Sequence, residues 1–381
     1  MQYTQKPTIL QILPALNTGG VERGAVDLAI ALKDQGFRPV IASSGGTYVQ
    51  TLLKHQIPHY SLPLQKKSPL AIWRNSQALA KIISKLDISI LHARSRAPAW
   101  AGYFAAKATK IPFVTTFHGT YGLKGGSLKK LYNSVMVRGQ VIIAISHHIA
   151  QHIRQHYSLF VSANQKIQVI YRSVDVKAFS PESVSPQNRK DKRERWDVSK
   201  DSKVILIPGR LSRWKGQLTV LKAASKVHTA ECVFVFVGDD QGRKEYTQEI
   251  LQNIQDLNLE NKVRLVGNEP DMPTAYAAAD LVIHASLEPE AFGRVIIEAQ
   301  AMKKPVIASQ LGAPCEIIEP QVTGWLVPPG DSDALARQID TVFSQPKTSL
   351  SIAQKGYEKC ITTYSLDRLV KETVGIYTSL I

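Results

Sequence analysis

Two glutamates eight residues apart, Glu290 and Glu298, stand in the run Glu288-Pro289-Glu290-Ala291-Phe292-Gly293-Arg294-Val295-Ile296-Ile297-Glu298-Ala299. The run follows an apolar stretch, Leu281–His284, so it reads as a strand, a loop and a helix beginning near Phe292–Gly293. A helix start presents free N–H groups to phosphate or hydroxyl oxygens. Glu290, at its mouth, would accept hydrogen bonds from sugar hydroxyls. Glu298, deeper in the helix, would bind the two hydroxyls of a ribose. Two glutamates at this spacing often arise by chance; the strand–loop–helix setting is what gives them weight.

A second run, Pro208-Gly209-Arg210-Leu211-Ser212-Arg213-Trp214-Lys215-Gly216, follows the apolar stretch Val204–Ile207. It would lie at the carboxyl end of a parallel strand, where open α/β sheets bind ligands. Arg210 can fork two oxygens and Lys215 adds a point charge. Together they would neutralise the β-phosphate of a departing nucleoside diphosphate; the alternative is a solvated basic loop. A third candidate, Asn17-Thr18-Gly19-Gly20, lets a backbone approach an anion closely at a helix start. It is not the G-x-G-x-x-G fingerprint, and taken alone it is equally a plain strand-to-helix turn.

The elements that must hold these residues are short β-branched runs alternating with helical patterns, the mark of parallel α/β sheets. In the first half the strands are expected at Thr8–Leu13, Pro39–Ala42, Ser89–His92, Phe113–Phe117, Val141–Ile145 and Ile167–Ile170. In the second half they are expected at Val204–Ile207, Val233–Val237, Val263–Val266, Leu281–His284 and Pro305–Ala308. Val21–Gln35 is the clearest helix, with Gly36 as its stop signal. Ala334–Phe343 and Leu366–Leu380 are two more. Between the halves the texture turns to Ser, Pro and charge without periodicity. The 381 residues are ample for two cores. The expected division is 1–178, a linker at 179–202, a second domain at 203–364, and a terminal helix at 365–381 packing back toward the first domain.

Charge is unevenly spread. Residues 1–180 carry 22 Lys and Arg against 5 Asp and Glu, and residues 181–381 carry 25 against 26. A net +17 in one half calls for an anionic partner of that half. Nucleic acid is disfavoured, because aromatics are only 7% and are not interleaved with the basic runs as base stacking requires. No apolar stretch approaches the ~20 residues of a membrane span. Ile9–Leu16 is too short and too broken for a signal peptide, which points to the cytoplasm. Cys232, Cys315 and Cys360 lack metal-ligand spacing and read as buried small hydrophobes.

The motifs taken in order, Gly19-Gly20-Val21-Glu22, Gly209-Arg210-Leu211 with Lys215-Gly216, Glu290-x7-Glu298 and Pro305-Val306-Ile307-Ala308, resemble the retaining glycosyltransferases of family four (glycosyltransferase group 1) of the cell-envelope and lipopolysaccharide type. The resemblance covers nearly the whole chain. It implies the α/β fold called GT-B, two Rossmann-like domains facing each other across a cleft. It implies that Gly19 and Gly20 approach the donor diphosphate and that Arg210 and Lys215 bind it. Glu290 would hold the donor sugar with help from the backbone of Ala291, Phe292 and Gly293, and Glu298 would hold the ribose. His118, in Thr116-Phe117-His118-Gly119, is similar to the family histidine beside the reacting carbon. Where the family often shows Pro-Asn-Gly after the last strand of its first domain, this chain has Tyr171-Arg172-Ser173, which puts the hinge chemistry in question.

The reaction so implied is a metal-independent, retaining transfer from a nucleoside-diphosphate sugar, with no cofactor and no metal. The lone Asp-x-Asp, Asp331-Ser332-Asp333, sits at a helix start, where carboxylates serve as caps. Members of the family hold the acceptor on the first domain, so its charge implies an anionic glycan or glycolipid acceptor at the inner face of the cytoplasmic membrane. Candidate contacts are Lys66, Lys67 and Arg74 with the interfacial Trp73, and the segment Lys124 to Arg138. There Ser127 would cap a helix with Leu128, Leu131 and Val135 as its apolar stripe and Lys129 and Lys130 on its surface. Ordinary core packing of that stripe is the alternative. A nucleotide-sugar 2-epimerase of the same fold would need sugar-facing carboxylates in both domains, which five acids in the first half disfavour. A non-catalytic basic binding protein is the third reading.

Overall fold

The computed structural model describes residues 6–17, 19–121 and 126–381. It forms two compact α/β units, one of residues 1–172 with 366–381, the other of residues 173–365.

Unit 1 is built on a seven-stranded parallel sheet: β1 Thr8–Ile12, β2 Arg38–Ser43, β3 His59–Ser61, β4 Ile88–Ala93, β5 Phe113–Phe117, β6 Val141–Ala144 and β7 Lys166–Val169. The order is β3-β2-β1-β4-β5-β6-β7, so the direction of winding reverses between β1 and β4. β1 and β5 are buried along their full length, as strands covered on both faces must be. That explains their unbroken apolar runs. The first helix, Gly20–Asp34, turns Ala25, Leu28, Ala29 and Leu32 inward. Helix Pro69–Leu86 starts on Ser68, whose hydroxyl accepts from the Ala71 N–H at 3.3 Å, with proline in the first turn. The chain returns to this unit for its last helix, Leu366–Thr378. Val370, Ile376 and Tyr377 of that helix join the core around Ile9, Ile90 and Val114. Burial of each aliphatic side chain contributes about 1.5–3 kcal/mol. Tyr377 also reaches His92, its hydroxyl 2.6 Å from Nδ1.

Unit 2 has a six-stranded parallel sheet: β8 Lys203–Pro208, β9 Cys232–Val237, β10 Val263–Gly267, β11 Leu281–His284, β12 Val306–Ser309 and β13 Trp325–Val327. The order is β10-β9-β8-β11-β12-β13, with the reversal between β8 and β11.

Three expectations need correction. Residues 179–202 are no linker. Pro186–Arg195 is a helix with Ser185 as its cap, and Lys192 and Arg193 are buried. Lys192 pairs with Glu269 at 2.7 Å. Arg193 donates to Asp280 at 2.7 Å and to the carbonyls of Ala278, Lys200 and Ser202. The helix is fixed by cations satisfied on carboxylates and carbonyls, so it carries no apolar periodicity to see. Cys315 is exposed, unlike Cys232 and Cys360. Ser127 lies inside helix Gly126–Asn133 rather than capping it.

Candidate functional site

The carboxyl ends of β8 and β11 meet at the winding reversal of unit 2, where the crevice of an open α/β sheet lies. The two loops leaving these strands are tied together: the Leu287 N–H donates to the Trp214 carbonyl at 2.7 Å. Gly216 closes the first loop with φ +74°, and a Cβ there would stand 2.0 Å from the Ala285 carbonyl oxygen, so only glycine fits. Gly312 does the same for the second loop, at φ +73° and with a Cβ position 2.7 Å from the Glu290 carbonyl oxygen. The Ala313 N–H holds that carbonyl at 3.0 Å.

These constraints fix the Glu290 side chain. Its Oε1 receives the Lys215 ammonium, His284 Nε2 at 3.2 Å and the Ser286 hydroxyl at 3.2 Å. Three donors therefore converge on one oxygen, and Oε2 has no hydrogen-bond partner among the described residues. Burial opposes the charge, but the hydrogen bond from His284 and the charge of Lys215 outweigh it and hold the carboxyl well below the usual carboxylate range. The result is a carboxylate favoured in its ionised form, with one oxygen anchored and the other available. Lys215 also lies over the Trp214 ring, 4.2 Å from its centroid. Arg210 is exposed at the same edge and donates to Gln241 at 3.2 Å.

Helix Arg294–Ala301 follows with Gly293 as its cap. Glu298, buried, accepts from the Tyr276 hydroxyl at 2.9 Å and from Arg294 at 3.0 Å. Phe292 is buried edge-on to Tyr364, ring centroids 5.8 Å apart. So the structure brings Arg210, Lys215, Glu290, Ala291, Phe292, Gly293 and Glu298 to one edge of the sheet. It adds His284 and Ser286, which sequence reasoning missed; His284 ends an expected strand, and that position was the available signal. Asp331 caps helix Ser332–Ser344, accepting from the Ala334 N–H at 2.8 Å, and Asp333 pairs with Lys226 at 2.9 Å.

In unit 1, Gly19 and Gly20 follow β1 and open the first helix. Thr18 lies outside the described residues. Gly19 is extended, φ 170°, a conformation open to any residue. His118 follows β5 directly, and its Nδ1 lies 3.0 Å from Arg172 Nη2. An arginine can only donate, so Nδ1 is the acceptor and Nε2 carries the proton. Burial first, then the charges of Arg172 and Arg94 and the nearby His92, keep this imidazole neutral.

The basic and aromatic candidates lie on a different part of unit 1. Lys66, Lys67, Trp73 and Arg74 are exposed, while Lys129 and Lys130 are half-buried. Trp73 is 59% exposed and Leu128 is 82% exposed, and Leu131 is exposed as well, whereas Val135 is buried. The expected single stripe therefore splits, because the helix ends at Asn133 and a 3-10 turn over Ser134–Val137 changes its phase. Lys124 lies outside the described residues. An open groove of about 450 Å³ runs between Lys67, Trp73, Trp100, Phe104 and Tyr132. No described helix is long and apolar enough to cross a membrane.

Residues 18–178 match the family model for Glycosyltransferase Family 4, and residues 188–359 that for Glycosyl transferases group 1. A glycosyltransferase from Rickettsia africae is 39% identical, with 98% of each chain covered and a TM-score of 0.91. This chain belongs to the group 1, family 4 glycosyltransferases. Its fold is GT-B, built of two Rossmann-like units. HepE of Anabaena, solved with UDP, is 25% identical over 98% of this chain and 100% of its own, with a TM-score of 0.85. The N-acetyl-alpha-D-glucosaminyl L-malate synthase of Bacillus anthracis is 26% identical over 84% of this chain and 80% of its own. The glycosyltransferase thus has candidate site residues on both of its units, those of unit 2 at the β8/β11 winding reversal and those of unit 1 after β1 and β5 and on the surface around Trp73 and Leu128.

Proposed function

We propose that this glycosyltransferase moves a sugar, with retention of configuration and without a metal, from a UDP-sugar to a hydroxyl of an anionic glycan or glycolipid of the cell envelope. The observation that carries the donor side is the Glu290 carboxylate, anchored through one oxygen and open at the other, next to Arg210 and Lys215. UDP is favoured because the similar Anabaena protein binds it and binds UDP-glucose. Arg210 and Lys215 would stabilise the charge that grows on the β-phosphate. The open Glu290 oxygen would hold sugar hydroxyls, and Glu298 the ribose. The bond from the anomeric carbon to the diphosphate breaks as the acceptor hydroxyl attacks from the same face. The proton passes to the departing diphosphate oxygen, so no enzymic base is required.

On the acceptor side, unit 1 holds 23 Lys and Arg against 6 Asp and Glu, a net +17. Exposed Trp73 and Leu128 and the aromatic groove stand among those cations. The unit would dock reversibly on the anionic inner leaflet, each Lys or Arg near the surface contributing about 1 kcal/mol. Incubation with a panel of sugar nucleotides, reading release of nucleoside diphosphate with and without chelator, tests the donor and the metal together. A UDP-sugar should respond and millimolar chelator should leave the rate unchanged. Release only after added magnesium or manganese would overturn the metal-free mechanism, and no response to any donor would overturn the transferase reading.

A further inference from the structure

Unit 1 exposes an apolar groove that the donor chemistry does not use. Two helices that pack on each other, Pro69–Leu86 and Arg96–Thr109, form its walls. Pro69, Ile72 and Trp73 line it from the first helix, and Trp100, Phe104 and Ala108 from the second. The last three are spaced four apart, so one face of one helix supplies that wall. Its rings are held by the protein itself. Trp100 stacks on Phe104, with 5.8 Å between centroids and 30° between planes, and the Arg138 guanidinium stands 5.4 Å from the Trp100 centroid. The Trp100 Nε1–H is taken by the Tyr132 carbonyl at 2.9 Å. This wall therefore offers aromatic and aliphatic surface rather than donors. Leu70, one turn before Trp73, is 55% exposed and Phe104 is 45% exposed. Large apolar side chains left in water together on one face mark a binding surface.

The rim carries one sign of charge. Lys67 lines the groove, and Lys66 and Arg74 are exposed beside its lining residues in the chain. Residues 66–138 hold 13 Lys and Arg and a single acid, Asp87. Asp87 closes the far end of the first helix, roughly 20 Å along its axis from Trp73. A second copy of this chain would bring the same cations against these, since a two-fold interface pairs a patch with itself. The occupant that fits is an amphiphile, with an alkyl chain against the rings and an anionic head beside Lys67. The groove's volume of about 450 Å³ falls within the ~300–1,000 Å³ of small-molecule sites.

We propose that this groove is a site for one anionic phospholipid of the membrane leaflet, its acyl chain lying between Trp73 and the Trp100–Phe104 pair and its phosphate at Lys67. This rests on the reading that unit 1 docks on an anionic leaflet. It adds a saturable, one-to-one contact to the attraction that the general field of the unit supplies.

The test is calorimetric titration of the full chain with decyl phosphate, a single alkyl chain with a phosphate head, kept below its micelle concentration. Inorganic phosphate supplies the head alone, and decyl maltoside the chain with an uncharged head. Decyl phosphate should saturate at one per chain, decyl maltoside should bind at least fivefold more weakly, and inorganic phosphate should not compete. Ala108→Trp fills the groove from an exposed position without altering charge and should weaken decyl phosphate at least tenfold. Lys67→Gln should weaken it at least threefold and narrow its gap over decyl maltoside. UDP affinity, unchanged in both, reports folding; if Ala108→Trp fails to fold, Trp73→Ala carries the result with a loss of at least fivefold. Binding without saturation, equal binding of the two amphiphiles, an Ala108→Trp protein that binds as the wild type does, or a dimer that decyl phosphate dissociates would each overturn the site. Vesicle pelleting separates the site from the docking it rests on. Pelleting that Ala108→Trp leaves intact, with no saturable amphiphile, removes the site and keeps the docking, whereas one bound decyl phosphate without pelleting keeps the site and removes the docking.

Discussion

Replacing Glu290 by glutamine keeps the shape of the side chain and removes its charge, and the geometry sets two effects of opposite sign. In wild type the Lys215 ammonium, His284 and Ser286 anchor Oε1 and keep the group ionised, so Oε2 accepts charge-assisted hydrogen bonds from the donor sugar. A hydrogen bond to a charged group contributes about 1.5–3 kcal/mol and one between neutral groups about 0.5–1.5. Two sugar hydroxyls would therefore lose about 2–3 kcal/mol together in the transition state, or about 30- to 150-fold in kcat. UDP should respond in the other direction. A unit charge ~7 Å from the diphosphate repels it by about 0.6 kcal/mol in bulk water and about 2 at an effective dielectric of 20. Glu290→Gln removes that repulsion and frees Lys215, so UDP should bind about 3- to 30-fold tighter than to wild type. Stability should fall by no more than ~3 kcal/mol, since the unpaired Lys215 retains some solvent and the Trp214 face. Calorimetry with UDP, steady-state transfer from the responding UDP-sugar and a melting curve measure the three quantities. Full activity in the variant, or a parallel loss of UDP affinity and turnover, would refute the assignment of the free carboxylate oxygen to the sugar.

Arg210→Ala should do the reverse, weakening UDP by about 1.5–3 kcal/mol, or roughly 10- to 150-fold, while the melting temperature barely moves because the exposed Arg210 side chain donates, among the described residues, to Gln241 alone; unchanged UDP affinity would place the diphosphate elsewhere. His92 and His118 are both held below the ordinary histidine value, chiefly by burial. Their contribution to stability is therefore complete above pH ~6.5 and lost as the pH falls below it, where the unfolded chain takes up protons that the folded one does not. Urea unfolding at pH 7.5 and pH 5.5 should show that fall, and His92→Asn should flatten it; equal slopes in the two proteins would count against the linkage. The protein should pellet with anionic vesicles at low salt, ignore neutral ones and be released by several hundred millimolar salt, where the Debye length is only a few Å. Charge reversal of Lys66, Lys67, Lys129 and Lys130 together should abolish pelleting with UDP affinity intact, and equal binding to both vesicle types would remove the membrane from the reading.

The sheets were legible where a strand is long and buried on both faces. Phe113–Phe117 and Leu281–His284 coincide with β5 and β11, because a central parallel strand writes an uninterrupted apolar run. β3 and β13 have three residues each and pair on one side only, which is too little sequence for a periodicity to show. The charged helix Pro186–Arg195 was illegible for a different reason: ion pairs hold its buried side chains, and Lys192 finds its partner 77 residues away.

The same distance effect separates the two halves of the candidate site. The Glu290 loop was readable because strand, glycine-bearing turn and helix cap lie within one short run. The cationic cluster of unit 1 has no such run. Gln11 and Arg94 are 83 residues apart, His118 and Arg172 are 54, and His92 and Tyr377 are 285. Each looks ordinary in its own neighbourhood, and only the parallel sheet, by lining up its carboxyl ends, makes them neighbours. One signal did exist. Arg172 stands where the family often places asparagine, and from sequence that difference reads only as an uncertain hinge. The structure places Arg172 on the ring of His118, where it fixes the tautomer and sets the field. An amide in its place would add no charge and would leave the proton on either ring nitrogen. Elements shared with relatives identify the reaction class, whereas a departure from them that touches a site residue changes the charge and the tautomer at that residue.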